Sequence, residues 1–213
     1  MGDPVATEPS RTVYVVDDDA SVRKSVGRLL RTAGYEVEAF ASADDFLAHP
    51  PASEPGCLLL DLRMPGRDGL ELQEALAAAR KRIPIIFVSG HGDVPSSVRA
   101  MKGGAVDFLT KPYSAEDLLE AVARAMAKEK RERREEAQLV ELEGRARSLT
   151  PREGDVLRLV VRGLLNKQVA AELGISEKTV KVHRARVMQK MRADSMADLV
   201  RMAGRLHPPA GAP

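Results

Sequence analysis

Val13-Tyr14-Val15-Val16-Asp17-Asp18-Asp19, residues 13–19, is the stretch that decides the fold. Its four leading residues are apolar and rich in β-branched side chains, the signature of a short buried strand. Three carboxylates follow where that strand ends. A helical stretch comes next, with Val22, Val26, Leu29 and Leu30 at spacings of three and four. The alternation then repeats. Residues 35–40 predict a second strand, 43–48 a short helix and 57–60 a third strand. Leu70, Leu72 and Leu76 lie on a third helix, 85–88 form a fourth strand, 94–102 a fourth helix and 105–109 a fifth strand. A helix from Ser114 continues past Met126. Five strand–helix repeats imply a five-stranded parallel sheet with helices on both faces, a doubly wound α/β domain.

Chemistry in such sheets sits at the carboxyl ends of the strands, near the switch in strand order. That rule selects Asp17, Asp18 and Asp19 after the first strand, Asp61 after the third, Ser89 after the fourth and Lys111 after the fifth. Clustered carboxylates repel one another, and burying them costs free energy unless a cation compensates. A hard divalent ion with oxygen ligands would do so, and Mg²⁺ suits a site that also receives a phosphoryl group. Asp61 is the natural nucleophile, because carboxylates form acyl phosphates. Lys111 and the Ser89 hydroxyl are placed to hold phosphoryl oxygens. Asp19 has a plainer role as the N-cap of the helix from Ala20.

Residues 12–126 resemble the receiver domain of two-component response regulators, a flavodoxin-like fold. The segments that carry the resemblance are Val-Val-Asp-Asp-Asp at 15–19, Leu-Asp-Leu-Arg-Met-Pro-Gly at 60–66, Val-Ser-Gly-His-Gly-Asp at 88–93 and Thr-Lys-Pro at 110–112. The resemblance implies Asp61 as phosphoacceptor, Asp18 as a direct Mg²⁺ ligand and Asp17 as a ligand through water. The backbone carbonyl of Arg63 would complete the protein ligands. It further implies Ser89 as the switch hydroxyl, Lys111 as the phosphate-pairing ammonium, Phe108 as the aromatic that turns inward on activation, and a cis bond at Lys111-Pro112. His91 has no partner at metal-ligand spacing and receives no role.

Charge divides the chain. Residues 1–126 hold 14 Lys/Arg against 19 Asp/Glu, and residues 148–213 hold 12 against 6. The basic back end suits an anionic partner, with nucleic acid the leading candidate. The single cysteine, Cys57, excludes an intrachain disulfide framework and multi-cysteine metal sites, and its apolar run marks it as a small core residue. No apolar run reaches bilayer-spanning length and the first eleven residues hold no secretory apolar region, so the chain reads as soluble and cytoplasmic, with no membrane partner. Residues 1–11 and 207–213 are expected to be disordered.

Residues 128–136 are almost all charged with mixed sign, a solvated surface of a helical linker over 127–147, with Gly144 and Ser148 marking its end. The back half, 148–206, reads as all helix. Thr150-Pro151-Arg152-Glu153 combines a cap, a proline suited to the first helical position and a capping-box glutamate. That helix carries Val156, Leu157, Val160 and Val161 to Gly163. Residues 166–173 form a second helix, Gly174 permits the tight turn, Ser176 caps a third helix to about Arg192, and Ser195 a fourth. The pair has helix-turn-helix spacing over about 166–185. At about 100° per residue, Val180, Val187 and Met191 share the core face of the third helix. Lys178, Val182, Ala185 and Gln189 fall opposite, flanked by Lys181, Arg186 and Arg192. Lysine and arginine attract phosphates, and Val182 can touch a thymine methyl. The candidate DNA-contacting set is Lys178, Thr179, Lys181, Val182, Arg186 and Gln189. Arg184 falls near the core side and is not expected to read bases.

Residues 148–205 are similar to the LuxR-type helix-turn-helix, through residues 149–153, 163–167 and 179–185. With the receiver in front and Gly-His-Gly-Asp-Val-Pro at 90–95, the whole resembles the FixJ branch of response regulators. That resemblance implies a transcriptional regulator, not an enzyme, fed by a sensor histidine kinase, binding double-stranded DNA, working with RNA polymerase and forming a homodimer on phosphorylation. Some relatives carry a basic residue where this chain has Ala185. Two other classes fit parts of the sequence. An aspartyl phosphohydrolase commonly has a second Asp two residues after its nucleophile, where this chain has Arg63. A DNA-binding protein whose receiver only mediates partner contacts would bind DNA equally with and without a phosphoryl donor.

Overall fold

The computed structural model describes residues 11–48, 56–90 and 94–206. The chain divides into two compact units, Met1–Glu132 and Arg133–Pro213. The two terminal segments expected to be disordered lie outside the described residues, apart from Arg11, as does His91.

The first unit alternates β1 (Thr12–Val16), α1 (Ala20–Thr32), β2 (Glu36–Phe40), α2 (Ala43–Ala48), β3 (Gly56–Asp61), α3 (Gly69–Ala78), β4 (Ile85–Ser89), α4 (Val94–Lys102), β5 (Asp107–Thr110) and α5 (Ala115–Arg147). The five strands are all parallel in the order β2-β1-β3-β4-β5. Side chains alternate between the two faces of each strand. Tyr14, Val16, Leu58, Leu60 and Phe87 pack with α2, α3 and α4 on one face. Val13, Val15, Cys57, Leu59, Ile86 and Val88 pack with α1 and α5 on the other. Both faces of β1, β3 and β4 are therefore buried, which is why these strands read as unbroken apolar runs. Cys57 is fully buried, and burial pushes its thiol up to about 12.

Strand ends differ from the sequence reading by a residue in several places, and one start differs by more, for a local reason. The fifth strand begins at Asp107 rather than 105, because the Ala105 N–H is taken by the Ala100 carbonyl at the end of α4. α5 runs through Gly144 to Arg147, and Leu142 and Ala146 pack into the second unit's core. That burial outweighs the roughly 1 kcal/mol that a helical glycine costs.

The second unit contains the last turns of α5 and then α6 (Pro151–Val160), α7 (Asn166–Leu173), α8 (Glu177–Met191) and α9 (Met196–Leu206). Thr150 and Glu153 form the expected capping box, with Pro151 in the first turn. Gly174 adopts the left-handed conformation, φ +65°, at the α7–α8 turn. Glu153 also does something the capping motif did not reveal. Its buried carboxylate accepts a 2.7 Å bond from Lys190 of α8, whose ammonium also donates to the Ser148 carbonyl at 3.0 Å. Lys190, then the Thr150 backbone N–H, hold the Glu153 carboxyl at about 2.

A carboxylate with a depressed folded value adds stability above its unfolded value of 4.5, and that contribution is lost as pH falls from there toward about 2. Lys190→Met leaves the buried carboxylate without its cation and is expected to destabilise the second unit by about 2 kcal/mol at neutral pH. Every Phe and Tyr of the chain lies in the first unit, so amide NMR is the suitable probe of second-unit unfolding. Unchanged melting of Lys190→Met, or of Glu153→Gln, would show that this pair contributes nothing.

Candidate functional site

Strand register brings the carboxylates together. Val16 pairs with Leu60 across β1 and β3, so Asp17 leaves β1 beside Asp61 at the end of β3. Ser89 pairs with Thr110 across β4 and β5, which places Lys111 at the same edge. Lys111 Nζ lies 2.8 Å from Asp61 Oδ1 and 2.9 Å from Asp17 Oδ2. The other oxygen of each carboxylate accepts a backbone N–H, from Arg63 for Asp61 and from Asp19 for Asp17, both at 2.9 Å. Gly69 opens α3 directly beneath: a Cβ there would stand 2.5 Å from the Asp61 carbonyl oxygen. Only glycine permits so close an approach. Arg23 of α1 donates to the Asp17 carbonyl at 2.6 Å, a support that no local motif announces. Asp19 caps α1, accepting from Ser21 N at 2.7 Å. Asp18 and Arg63 are exposed at the rim. Lys111-Pro112 is cis.

Asp17 and Asp61 are both buried. Burial pushes the Asp61 carboxyl up despite the opposing pull of Lys111. Burial also works against the charge on Lys111, but its bonds to Asp61 and Asp17 prevail and hold it up at about 12. The ammonium thus does not fully offset the burial of Asp61. Together with exposed Asp18 alongside, the two carboxylates are an all-oxygen donor set of the chemistry that suits a hard divalent cation. Among the described residues no cluster of three or more His, Cys, Asp or Glu side chains forms a metal site.

Ser89 is buried at the end of β4, and its carbonyl accepts from Lys111 N at 2.7 Å. Phe108 is half-buried and stacks on Phe87 with ring centroids 6.3 Å apart. Asp107 pairs with Arg124 of α5, and Arg99 of α4 lies 3.6 Å from Glu74. α4 also exposes Val94, Val98 and Met101, spaced four and three apart on one side.

In the second unit, Val180, Val187 and Met191 are all buried, as the helical phase requires. Val180 packs with Val169 and Ala170 of α7. Lys178, Lys181, Val182, Arg186 and Gln189 are exposed, and Thr179 is partly so. Val182 is 45% exposed, unusual for a branched apolar side chain amid charges. Thr179 stays tied to the cap, its N–H bonding Ser176 Oγ at 3.1 Å. Arg184 turns away from this face and donates to Asn166 Oδ1 of α7 at 3.1 Å.

Two family models match the chain. The response regulator receiver domain matches residues 13–123, and the bacterial regulatory proteins of the luxR family match 147–203. The chain belongs to the response regulators. The regulator is 50% identical over 194 residues to nodulation protein W of Bradyrhizobium diazoefficiens, covering 91% of this chain and 86% of that one. It is 44% identical over 193 residues to the transcriptional regulatory protein FixJ of the same species, covering 91% and 94%. Among solved structures, it resembles the response regulator StyR with a TM-score of 0.81 and 49% identity, over 92% of this chain and all but 1% of that one. Full-length FixJ from B. japonicum matches with a TM-score of 0.57 and 43% identity, over 92% and 96%. The regulator thus pairs a receiver with a luxR-family DNA-binding domain, as FixJ-like transcriptional regulators do. Among the described residues no helix is long and apolar enough to cross a membrane.

Proposed function

We propose that the regulator accepts a phosphoryl group on Asp61 from a sensor histidine kinase in the cytoplasm, and that this controls sequence-specific binding of double-stranded DNA by α7 and α8. The observation that carries the reading is the convergence of Asp61, Asp17 and Lys111 at the carboxyl edge of the sheet. A carboxylate oxygen of Asp61 attacks phosphorus, and the bond from phosphorus to the donor breaks. Lys111 exchanges a carboxylate partner for a phosphoryl oxygen, and the Ser89 hydroxyl donates to another. Mg²⁺ held by Asp18, Asp61 and the Arg63 carbonyl, with Asp17 acting through water, would supply further positive charge against those oxygens. The chain acts as a switch and not as an enzyme turning over an external substrate. In domain terms, 12–126 is the receiver, 127–147 the helical linker and 148–206 the DNA-binding domain.

Phosphorylation acts by making a homodimer that recruits or contacts RNA polymerase from paired DNA sites. One helix-turn-helix buries little surface and reads few bases. A second copy adds its contact at high effective concentration, a gain of about a hundredfold or more. Ser89 and Phe108 adjoin α4 and β5, so their rearrangement reshapes the surface carrying Arg99, Met101, Lys102 and Asp107. The exposed Val94, Val98 and Met101 supply apolar area for pairing there. Light scattering at micromolar concentration tests this. The mass is expected to double on stable phosphorylation, and Met101→Glu is expected to prevent the doubling. An unchanged mass accompanied by tighter DNA binding would mean that relief of masking, not dimerisation, is the mechanism.

A further inference from the structure

The end of the linker helix belongs to the apparatus that aims α8. All the contacts concerned lie within the second unit. Arg145, near the end of α5, sends Nη1 to the carbonyl of Met191, the last residue of α8, at 3.2 Å. Its Nη2 donates to Glu141 Oε1, one turn earlier on α5, at 2.7 Å. The same Glu141 oxygen lies 3.5 Å from Arg192 Nη1, on the residue that ends α8 in a left-handed conformation. Arg145 also draws Asp198 of α9 toward its charged form, though the first cause there is Arg201. Leu142 seats the turn by burying against Val187, Met191 and Leu199. Arg145 Nε is buried and has no hydrogen-bond partner among the described residues. A guanidinium held with one donor unsatisfied is fixed by its other contacts rather than free to optimise itself.

We propose that Arg145 is a positioning residue for DNA reading, fixing the C-terminal end of α8 so that its exposed face meets the base edges at a set angle. This rests on the reading of α8 as the DNA-reading helix. α8 has 15 residues, a length of about 22 Å. Its first half is held through Val180 against α7. Its far end packs against α5, α6 and α9. Lys190, one residue before the last, bonds Glu153 and the Ser148 carbonyl, while Arg145 alone among these contacts bonds the final carbonyl of the helix. A cation at a helix C-terminus also satisfies an orphan carbonyl and complements the helix dipole. Without it, the last turn of α8 loses its bond to α5 and can shift against the remaining contacts of that end. Base contacts are short-ranged and directional, whereas phosphate attraction tolerates such shifts. The loss therefore falls on discrimination between sequences and not on general affinity. Arg145 is only 23% exposed at its side chain and lies at the helix end, so it is not offered as a DNA contact itself.

The test uses the full chain, phosphorylated, with two duplexes: the best sequence recovered by the wild type from a randomised pool, and a scrambled duplex of the same composition. Affinities are read by fluorescence anisotropy over a range of salt, well below each variant's melting transition. Arg145→Ala is expected to weaken the selected duplex about tenfold, the size of one lost base contact. The scrambled duplex and the salt slope are expected to stay unchanged. Arg145→Lys reaches one acceptor but cannot span two, and is expected to fall between. Equal weakening on both duplexes with a shallower salt slope would overturn the proposal by making Arg145 a phosphate contact. An unchanged ratio with only a lower melting temperature would overturn it by making Arg145 purely structural. Lys181→Ala runs alongside. If that variant binds both duplexes like the wild type, the reading of α8 fails, which is a different result from either Arg145 outcome.

Discussion

Asp61→Asn is expected to take up no phosphoryl group from acetyl phosphate, whereas the wild type is expected to do so in the presence of Mg²⁺. The amide keeps the size of the side chain but has no anionic oxygen to attack phosphorus. It also withdraws the charge that Lys111 pairs at 2.8 Å. Labelling in the variant is expected at background, read as acid-labile phosphate on the intact chain. Chelating Mg²⁺ is expected to give the same loss in the wild type, because a divalent cation beside Asp61 would supply positive charge against the transferred phosphoryl oxygens. Label that persists in Asp61→Asn would place the acceptor elsewhere.

Lys181→Ala and Val182→Ala separate two components of DNA binding on neighbouring residues. Lys181 is exposed and cationic, so its loss is expected to weaken binding to all sequences and to reduce the salt slope by about one. Val182 carries no charge. If it packs on a thymine methyl, Val182→Ala costs roughly 1 kcal/mol, about fivefold, on the specific site only. A mobility-shift titration across salt concentrations distinguishes the two. Identical behaviour of both variants and the wild type would mean that the exposed face of α8 is not the one that meets DNA.

The receiver was legible because its chemistry follows its topology. A run such as Val13–Val16 ending in Asp17 marks a buried strand and the edge where it stops, and every site side chain sits at such an edge. The core face of α8 was legible because helical phase alone separates Val180, Val187 and Met191 from Val182. What stayed hidden depends on contacts far apart in sequence. Glu153 looks like a capping residue, and its bond to Lys190 spans 37 positions. Arg145 looks like one more charge in a charged segment, and its partner Met191 lies 46 positions away. Arg23 is a helix-surface arginine until the fold brings it to the Asp17 carbonyl. The exposed stripe of α4 was missed for another reason. Val94 and Val98 fit a buried face equally well by spacing, and only packing shows which side of α4 the sheet covers.

The most direct test of phosphorylation control is a DNA-binding titration of the full chain on its selected duplex, with and without acetyl phosphate and Mg²⁺, in the wild type and in Asp61→Asn. The wild type is expected to bind at least about tenfold more tightly with the phosphoryl donor, as pairing of two copies allows, and Asp61→Asn to bind weakly in both conditions. Equal affinity of the wild type with and without the donor, under conditions where Asp61 is labelled, would contradict control of DNA binding by Asp61.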